Sequence, residues 1–259
     1  MMAFETELSK TTTSLAKSFY ETNGFVVLRN AIPKSLIDNT HQALLRAIES
    51  NTISNATRDL HILPNGEASS AHNLTKYIPE YNSLIELRNI RELIELIYGE
   101  LSTTLFNSSY FAKPKLVGLE TKAHQDNAFF CMSPAEVATC WLPLTYANKK
   151  NGTLYYLPGS HNLGDLPHEP EGNLGASMCL SAKTIKDVLL KYQKTYIELE
   201  AGDCVIHNAL VIHGSDENKS NFDRNAFNFS IGSIRAERDE DLFNKYQKNL
   251  SDFLKRKKQ

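Results

Sequence analysis

A mainly β fold with helices packed against it, its core a double-stranded β-helix or jelly roll, is the class this sequence predicts. Three observations predict it. Apolar residues recur at helical spacing through the first hundred positions. From Leu105 onward the chain breaks into short runs rich in aromatic and β-branched residues and punctuated by turns. The connections between those runs are long, and a jelly roll tolerates long connections.

The elements follow in order. GFVVLRNAI is a β-branched run bounded by Gly24 and Pro33, which reads as a strand leading into a helix. KSLIDNTHQALLRAIES then sets Leu36, Ile37, Leu44, Leu45 and Ile48 on one helical stripe. SLIELRNIRELIELIYGEL repeats the pattern with Leu84, Leu87, Ile90, Ile94 and Ile97. The strand candidates are LFNSSYFAK, EVATCWLPLTY, GTLYYLPGS, TYIELEAGD, CVIHNALVIHG and NAFNFSIGSI. Asn151-Gly152 is expected to close a hairpin and Pro158-Gly159 a second turn. Near the C-terminus Leu242, Phe243, Tyr246, Leu250 and Phe253 form one more apolar stripe. The expected organisation is a single domain over 1–259: a helical N-terminal half (about 1–104), a cupin-like jelly-roll core (about 105–235) and a C-terminal helix (about 238–257).

Composition narrows the function. The chain has 259 residues, 41% of them hydrophobic, and a formal charge of −2, so no global basic field steers it onto nucleic acid or an anionic membrane. The expected partner is a small-molecule substrate, with no nucleic acid and no membrane. The basic tail Lys255 to Lys258 complements the end of the last helix, whose stripe packs on the barrel or on a second copy, giving a monomer or homodimer. Cys131, Cys140, Cys179 and Cys204 lie far apart without C-x-x-C spacing, which argues against a zinc knuckle or a disulfide framework. No apolar run resembles a signal peptide or reaches the ~18 residues of a membrane span, so a cytoplasmic location is expected.

The chemistry concentrates in KAHQDNAFF. On an extended chain, residues two apart face the same side, so His124 and Asp126 can supply two adjacent corners of a metal's coordination shell. A third corner must come from another strand. GDCVIHNALVIHGSDENKSNFDR offers His213, followed by Gly214 and Ser215, with Arg224 eleven residues after the histidine. Two neutral imidazoles and one carboxylate with open positions suit non-haem Fe(II), whereas zinc more often takes a third histidine or cysteine. Arg224 then presents a planar fork matched to a carboxylate, such as the far carboxylate of 2-oxoglutarate.

KPKLVGLETKAHQDNAFF, TCWLPLTYANKKNGTLYYLPGSH and GDCVIHNALVIHGSDENKSNFDR, with the NGFVVLRNAIPKSLID opening, together resemble the phytanoyl-CoA dioxygenase family of Fe(II)/2-oxoglutarate oxygenases. The family order K-P, H-Q-D, W-x-x-L, N-G-x-L-x-x-x-P-G-S-H, H-x-S and arginine is kept throughout. The resemblance implies Fe(II) at His124, Asp126 and His213, 2-oxoglutarate held by Arg224 with Ser215 beside it, and dioxygen as the second co-substrate. It implies hydroxylation of an unactivated C–H bond with release of succinate and CO2. Desaturation, epoxidation and ring chemistry are alternatives within the family, and a catalytically silent scaffold is the alternative outside it. Related halogenases replace the carboxylate with a small residue, so Asp126 favours oxygenation.

Further residues carry two readings each. Lys113 shares strand parity with Asn107, Ser109 and Phe111, a face bordering the co-substrate or else solvent. Trp141 is a wall of the 2-oxoglutarate pocket or simply the largest core residue. Asn127, Phe129 and Phe130 follow the ligand pair and are expected on the substrate side. His207 shares parity with His213 and competes for the third corner; the family pattern and Arg224 favour His213. His61, His72 and His168 sit in loop-like sequence where solvated histidines are the default, with His72 the one that can overhang the pocket. Residues 162–193 form a lid or an ordinary surface connection.

Overall fold

The computed structural model describes residues 3–4, 10–54, 59–170 and 178–256. Gly172 and Gly175 of the lid reading, and Lys257 and Lys258 of the basic tail, lie outside them. In chain order the strands are β1 (Ala3–Phe4), β2 (Phe25–Leu28), β3 (Leu60–Ile62), β4 (Ala68–Ala71), β5 (Leu101–Lys113), β6 (Thr121–His124), β7 (Met132–Ser133) and β8 (Val137–Pro143). They continue with β9 (Leu154–Tyr156), β10 (His168–Pro170), β11 (Met178–Leu180), β12 (Thr195–Tyr196), β13 (Cys204–Asn208), β14 (His213–Ser215), β15 (Arg224–Ser233) and β16 (Glu237–Arg238). The helices are α1 (Lys10–Asn23), α2 (Lys34–Glu49), α3 (Leu74–Tyr77), α4 (Tyr81–Ile85), α5 (Arg88–Tyr98), α6 (Asn127–Phe130), α7 (Ala182–Leu189) and α8 (Glu240–Arg256).

Two sheets form the jelly roll. The larger has eight strands in the order β1-β2-β13-β8-β15-β5-β4-β3, and the smaller has four in the order β12-β9-β14-β6. Strand alternation separates two environments across the larger sheet. Phe227, Phe229 and Ile231 of β15, Cys140 and Leu142 of β8 and Ile206 of β13 pack outward against Tyr20, Leu44, Leu84, Ile90 and Leu93 of the helices. Their neighbours Trp141, Val205 and Ala226 face inward and pack with Phe25, Tyr156 and Val211 between the sheets. Antiparallel sheets with one face under helices and the other lining a cavity require this period-two change of character.

Several expectations need correction. The helical stripe of α2 is narrower than its sequence: Ile37 and Leu44 are buried, but Leu45 is 44% exposed. The second helical pattern is broken at Leu87, so α4 and α5 are separate. The core strand starts at Leu101, four residues before the expected boundary. β2, β3 and β4 all hydrogen-bond into the larger sheet, so the N-terminal third contributes strands as well as helices. Asn151-Gly152 closes no hairpin, because β8 and β9 belong to different sheets; it ends a short 3-10 turn capped by Asn148, with Gly152 at φ 82°. CVIHNALVIHG is two strands rather than one. The chain leaves the larger sheet after Asn208 and enters the smaller at His213, which voids any parity argument linking His207 to His213.

Of the C-terminal stripe, Tyr246 of α8 meets the ring of Phe129 at 6.4 Å between centroids. Within 162–193, Leu180 and Val188 join Ala123 and Ile212 under the outer face of the smaller sheet. Among the described residues no helix is long and apolar enough to cross a membrane.

Candidate metal and co-substrate site

Antiparallel pairing of β14 with β6 sets His213 directly opposite His124. Their imidazole centroids lie 4.3 Å apart. Gly214, next to His213, allows this close packing, since a Cβ there would sit 2.5 Å from Tyr155 Oη and 2.8 Å from Thr121 O. Asp126 arrives by a different route from the one expected. β6 ends at His124 and Asp126 has helical dihedrals (φ −63°, ψ −31°) at the start of α6, so a strand-to-helix bend, not strand alternation, turns its carboxylate back. Asp126 Oδ1 is 3.6 Å from His124 Nε2 and 3.6 Å from His213 Nε2. One atom from each residue falls within 4.8 Å of the others, a spacing that can hold a metal ion.

The remaining polar atoms of the three residues fix their orientation. His124 Nδ1 lies 2.8 Å from Lys122 O and His213 Nδ1 lies 3.1 Å from Val211 O. A carbonyl only accepts, so both rings carry their proton on Nδ1 and turn a bare Nε2 toward Asp126, the tautomer a metal needs. Asp126 Oδ2 accepts from Thr139 Oγ1 at 2.7 Å and from His207 Nε2 at 3.1 Å, leaving Oδ1 for the centre. His207 Nδ1 accepts in turn from Tyr156 Oη at 2.9 Å. Burial, with His124 beside it, holds the His213 imidazole well below its ordinary pKa, hence neutral. Burial alone would push the Asp126 carboxyl up; the His213 ring beside it and the hydrogen bond from His207 Nε2 outweigh that and hold it well below the carboxylate range.

Gln125, between the ligands, points away and pins the turn. Its amide nitrogen donates to Gly164 O (2.8 Å) and Leu210 O (2.7 Å), and Leu166 N donates to its Oε1 (2.8 Å). Its backbone N–H donates to His168 Nε2 at 2.9 Å. His168 is therefore no solvated loop histidine: it sits in β10, and burial lowers its pKa to about 4.

The same cavity, of about 420 Å³, runs from the triad to Arg224 and Lys113. These two are cross-strand partners in the β15–β5 pair. Arg224 is 3% exposed, its Nε has no hydrogen-bond partner among the described residues, and its guanidinium rests 5.5 Å over the Trp141 ring. Lys113 Nζ donates to Ser215 O (3.0 Å) and Asp216 O (2.7 Å). Burial first, and Arg224 second, lower the Lys113 pKa to about 6; burial lowers that of Arg224 to about 10. Gly152 lets the lysine pass, as a Cβ there would stand 2.9 Å from Lys113 Cδ.

Of the sequence candidates, His124, Asp126, His213, Arg224, Ser215, Lys113, Asn107, Trp141, Phe129 and His72 all line this cavity. The Ser215 hydroxyl already donates to Gly152 O at 2.6 Å. Asn127 is not among the residues that line the cavity: its amide is engaged by Asp165 Oδ1 (2.8 Å), Met132 O (3.1 Å) and Met132 N (3.0 Å). Sequence reasoning missed Thr139, Tyr156 and Gln125 as supports. Only Gln125 gave a signal, through its place in H-Q-D.

The same jelly-roll fold is found in solved structures of other proteins. The chain superposes on EctD from S. alaskensis, solved with 2-oxoglutarate and 5-hydroxyectoine, with a TM-score of 0.73 over 90% of this chain and 78% of that one at 14% identity. It superposes on the non-haem α-ketoglutarate-dependent carbocyclase SnoK from nogalamycin biosynthesis with a TM-score of 0.69, covering 90% and 87% at 20% identity. Sequence is more specific than fold here. The chain belongs to the phytanoyl-CoA dioxygenase (PhyH) family, whose profile matches residues 20–226. Human peroxisomal phytanoyl-CoA dioxygenase is 28% identical over 230 residues, an alignment covering 84% of this chain and 67% of the human protein.

Proposed function

We propose that the protein is a non-haem Fe(II)/2-oxoglutarate-dependent dioxygenase that hydroxylates an unactivated C–H bond of a small molecule. His124, Asp126 and His213 would hold the metal. Arg224, assisted by Lys113 and walled by Trp141, anchors the co-substrate. The observation that carries this reading is the buried guanidinium with an unpartnered Nε, beside a buried lysine, in the cavity that also holds the triad. A buried cation without a carboxylate is costly, and a dicarboxylate reaching toward the metal removes that cost.

The bound iron, with 2-oxoglutarate and dioxygen, supplies the oxidation, and succinate and CO2 are released. The protein's own part is geometric. Lys122 O and Val211 O set the imidazole tautomers; Thr139 and His207 hold Asp126 so that one oxygen serves the metal; Phe129 and Phe130 keep water from the substrate side. The same proposal includes one domain over 1–259 in a monomer or homodimer, and a cytoplasmic location, to be checked by size-exclusion light scattering and by imaging a tagged chain.

Anaerobic titration of the metal-free protein with Fe(II) and 2-oxoglutarate tests the chemistry. Chelation gives a weak visible charge-transfer band near roughly 500 nm. Folded protein that gives no band overturns the proposal.

A further inference from the structure

The substrate end of the cavity has a polarity of its own. The floor is the inner face of β5 and β15, where register pairs Ser109 with Asn228 and Asn107 with Ser230. His72 follows β4 and stands over this floor, its ring braced by Phe111 at 5.6 Å and His61 at 5.7 Å between centroids. A hydrogen-bonded chain runs through these groups. Ser109 Oγ donates to Asn107 Oδ1, and Asn107 Nδ2 faces Asn228 Oδ1 at 3.4 Å. Ser109 Oγ is also 2.9 Å from His72 Nδ1.

A serine hydroxyl has one proton. Since Ser109 gives it to Asn107, the contact with His72 has to be an Nδ1–H donating to Ser109. His72 Nε2 is then the bare nitrogen, and it has no hydrogen-bond partner among the described residues. Burial, with His61 adding to it, lowers the His72 pKa, so the ring stays neutral near pH 7. Phe111 packs on the His72 ring, and Leu63, Phe106, Phe129 and Phe130 give the same cavity much of its apolar lining.

We infer that His72 Nε2 is a hydrogen-bond acceptor for the substrate, which is a small molecule carrying a hydroxyl or N–H donor on an otherwise apolar body. An ether in the same place offers no proton, and a carboxylate sets its lone pairs against that of the nitrogen. The inference rests on reading this cavity as the oxygenase site, and it specifies which substrates that site orients.

Two measurements test it, both on the full chain first without added metal and then with diamagnetic Zn(II) and 2-oxoglutarate. Long-range ¹⁵N–¹H correlation of histidine-labelled protein, with His72 assigned by its loss in His72→Phe, reads the tautomer; Nδ1–H with bare Nε2 is expected. Titration with benzyl alcohol and its isomer anisole, and with benzoate, then reads the polarity. Benzyl alcohol is expected to bind about five-fold more tightly than anisole or benzoate and to shift His72 Nε2. In His72→Phe that preference disappears while anisole binding persists. An Nε2–H tautomer, equal binding of the two isomers, or binding by none of the three overturns the inference; if His72→Phe fails to fold, the preference of the native protein between the two isomers, which needs no assignment, decides it. Absence of the Fe(II)/2-oxoglutarate band would instead sink the proposed function and leave these readouts intact.

Discussion

The two ends of the cavity meet their charges differently. At the metal end every polar atom not aimed at the centre has a partner: both histidine Nδ1 atoms meet carbonyls, and Asp126 Oδ2 is shared by Thr139 and His207. At the other end Arg224 and Lys113 are buried side by side, and Arg224 Nε has no hydrogen-bond partner among the described residues. The first end is organised by the protein alone. The second is organised at a cost that a dianion removes, so metal and co-substrate should respond to different substitutions.

Asp126→Ala has the largest expected effect. It removes the negative ligand from among three imidazoles, so turnover and the Fe(II)/2-oxoglutarate band should vanish while thermal unfolding stays cooperative; retained activity would break the assignment. Arg224→Ala should leave metal binding in place and raise the 2-oxoglutarate requirement about a hundred-fold, as two charge-assisted hydrogen bonds are lost. Arg224→Lys, with the charge but not the fork, should fall between, and an unaltered co-substrate dependence in both would move the anchor elsewhere.

His207→Leu sharpens the contrast from the metal side. Loss of the N–H that orients Asp126 should weaken Co(II) or Fe(II) binding by about ten-fold or more, and His207→Gln, which keeps a donor, should recover part of it. Unchanged affinity in both would assign the orienting role to Thr139 alone.

The smallest effect is on pH dependence. The Lys113 pKa near 6 in the free protein lies below the usual lysine value of 10.5, and a bound dicarboxylate raises it. Above pH 6, binding of 2-oxoglutarate therefore takes up a proton, and affinity should fall a few-fold per pH unit as pH rises. Calorimetry in buffers of different ionisation enthalpy measures that uptake directly. Without ligand the sign reverses for stability: between about pH 6 and 10.5 the unfolded lysine keeps a proton the folded one has lost, so the free protein gains stability as pH rises.

Local pattern made much of this legible. The inward and outward faces of β15 are visible in RNAFNFSIGS as an alternation of polar or small residues with Phe227, Phe229 and Ile231. The strand parity of Lys113, Asn107 and Ser109 places them together, and all but Ser109 line the cavity. Other features were hidden by the same logic. Asn127 looks like a substrate contact because it follows Asp126, yet the bend that turns Asp126 inward turns Asn127 into its own backbone. His207 and His213 look like alternate residues of one strand because nothing in NALVI announces the crossing between sheets.

The sequence by itself determined most of the element types and the order of the candidate ligands His124, Asp126 and His213, because helical and strand periodicity and ligand chemistry are properties of neighbouring residues. Tertiary structure decided the rest: His213 opposite His124, His207 on an aspartate 81 residues away, and a buried guanidinium whose Nε has no hydrogen-bond partner among the described residues. Those facts depend on which strands pair across long separations, and on a register that only the packing of two sheets and a layer of helices can select.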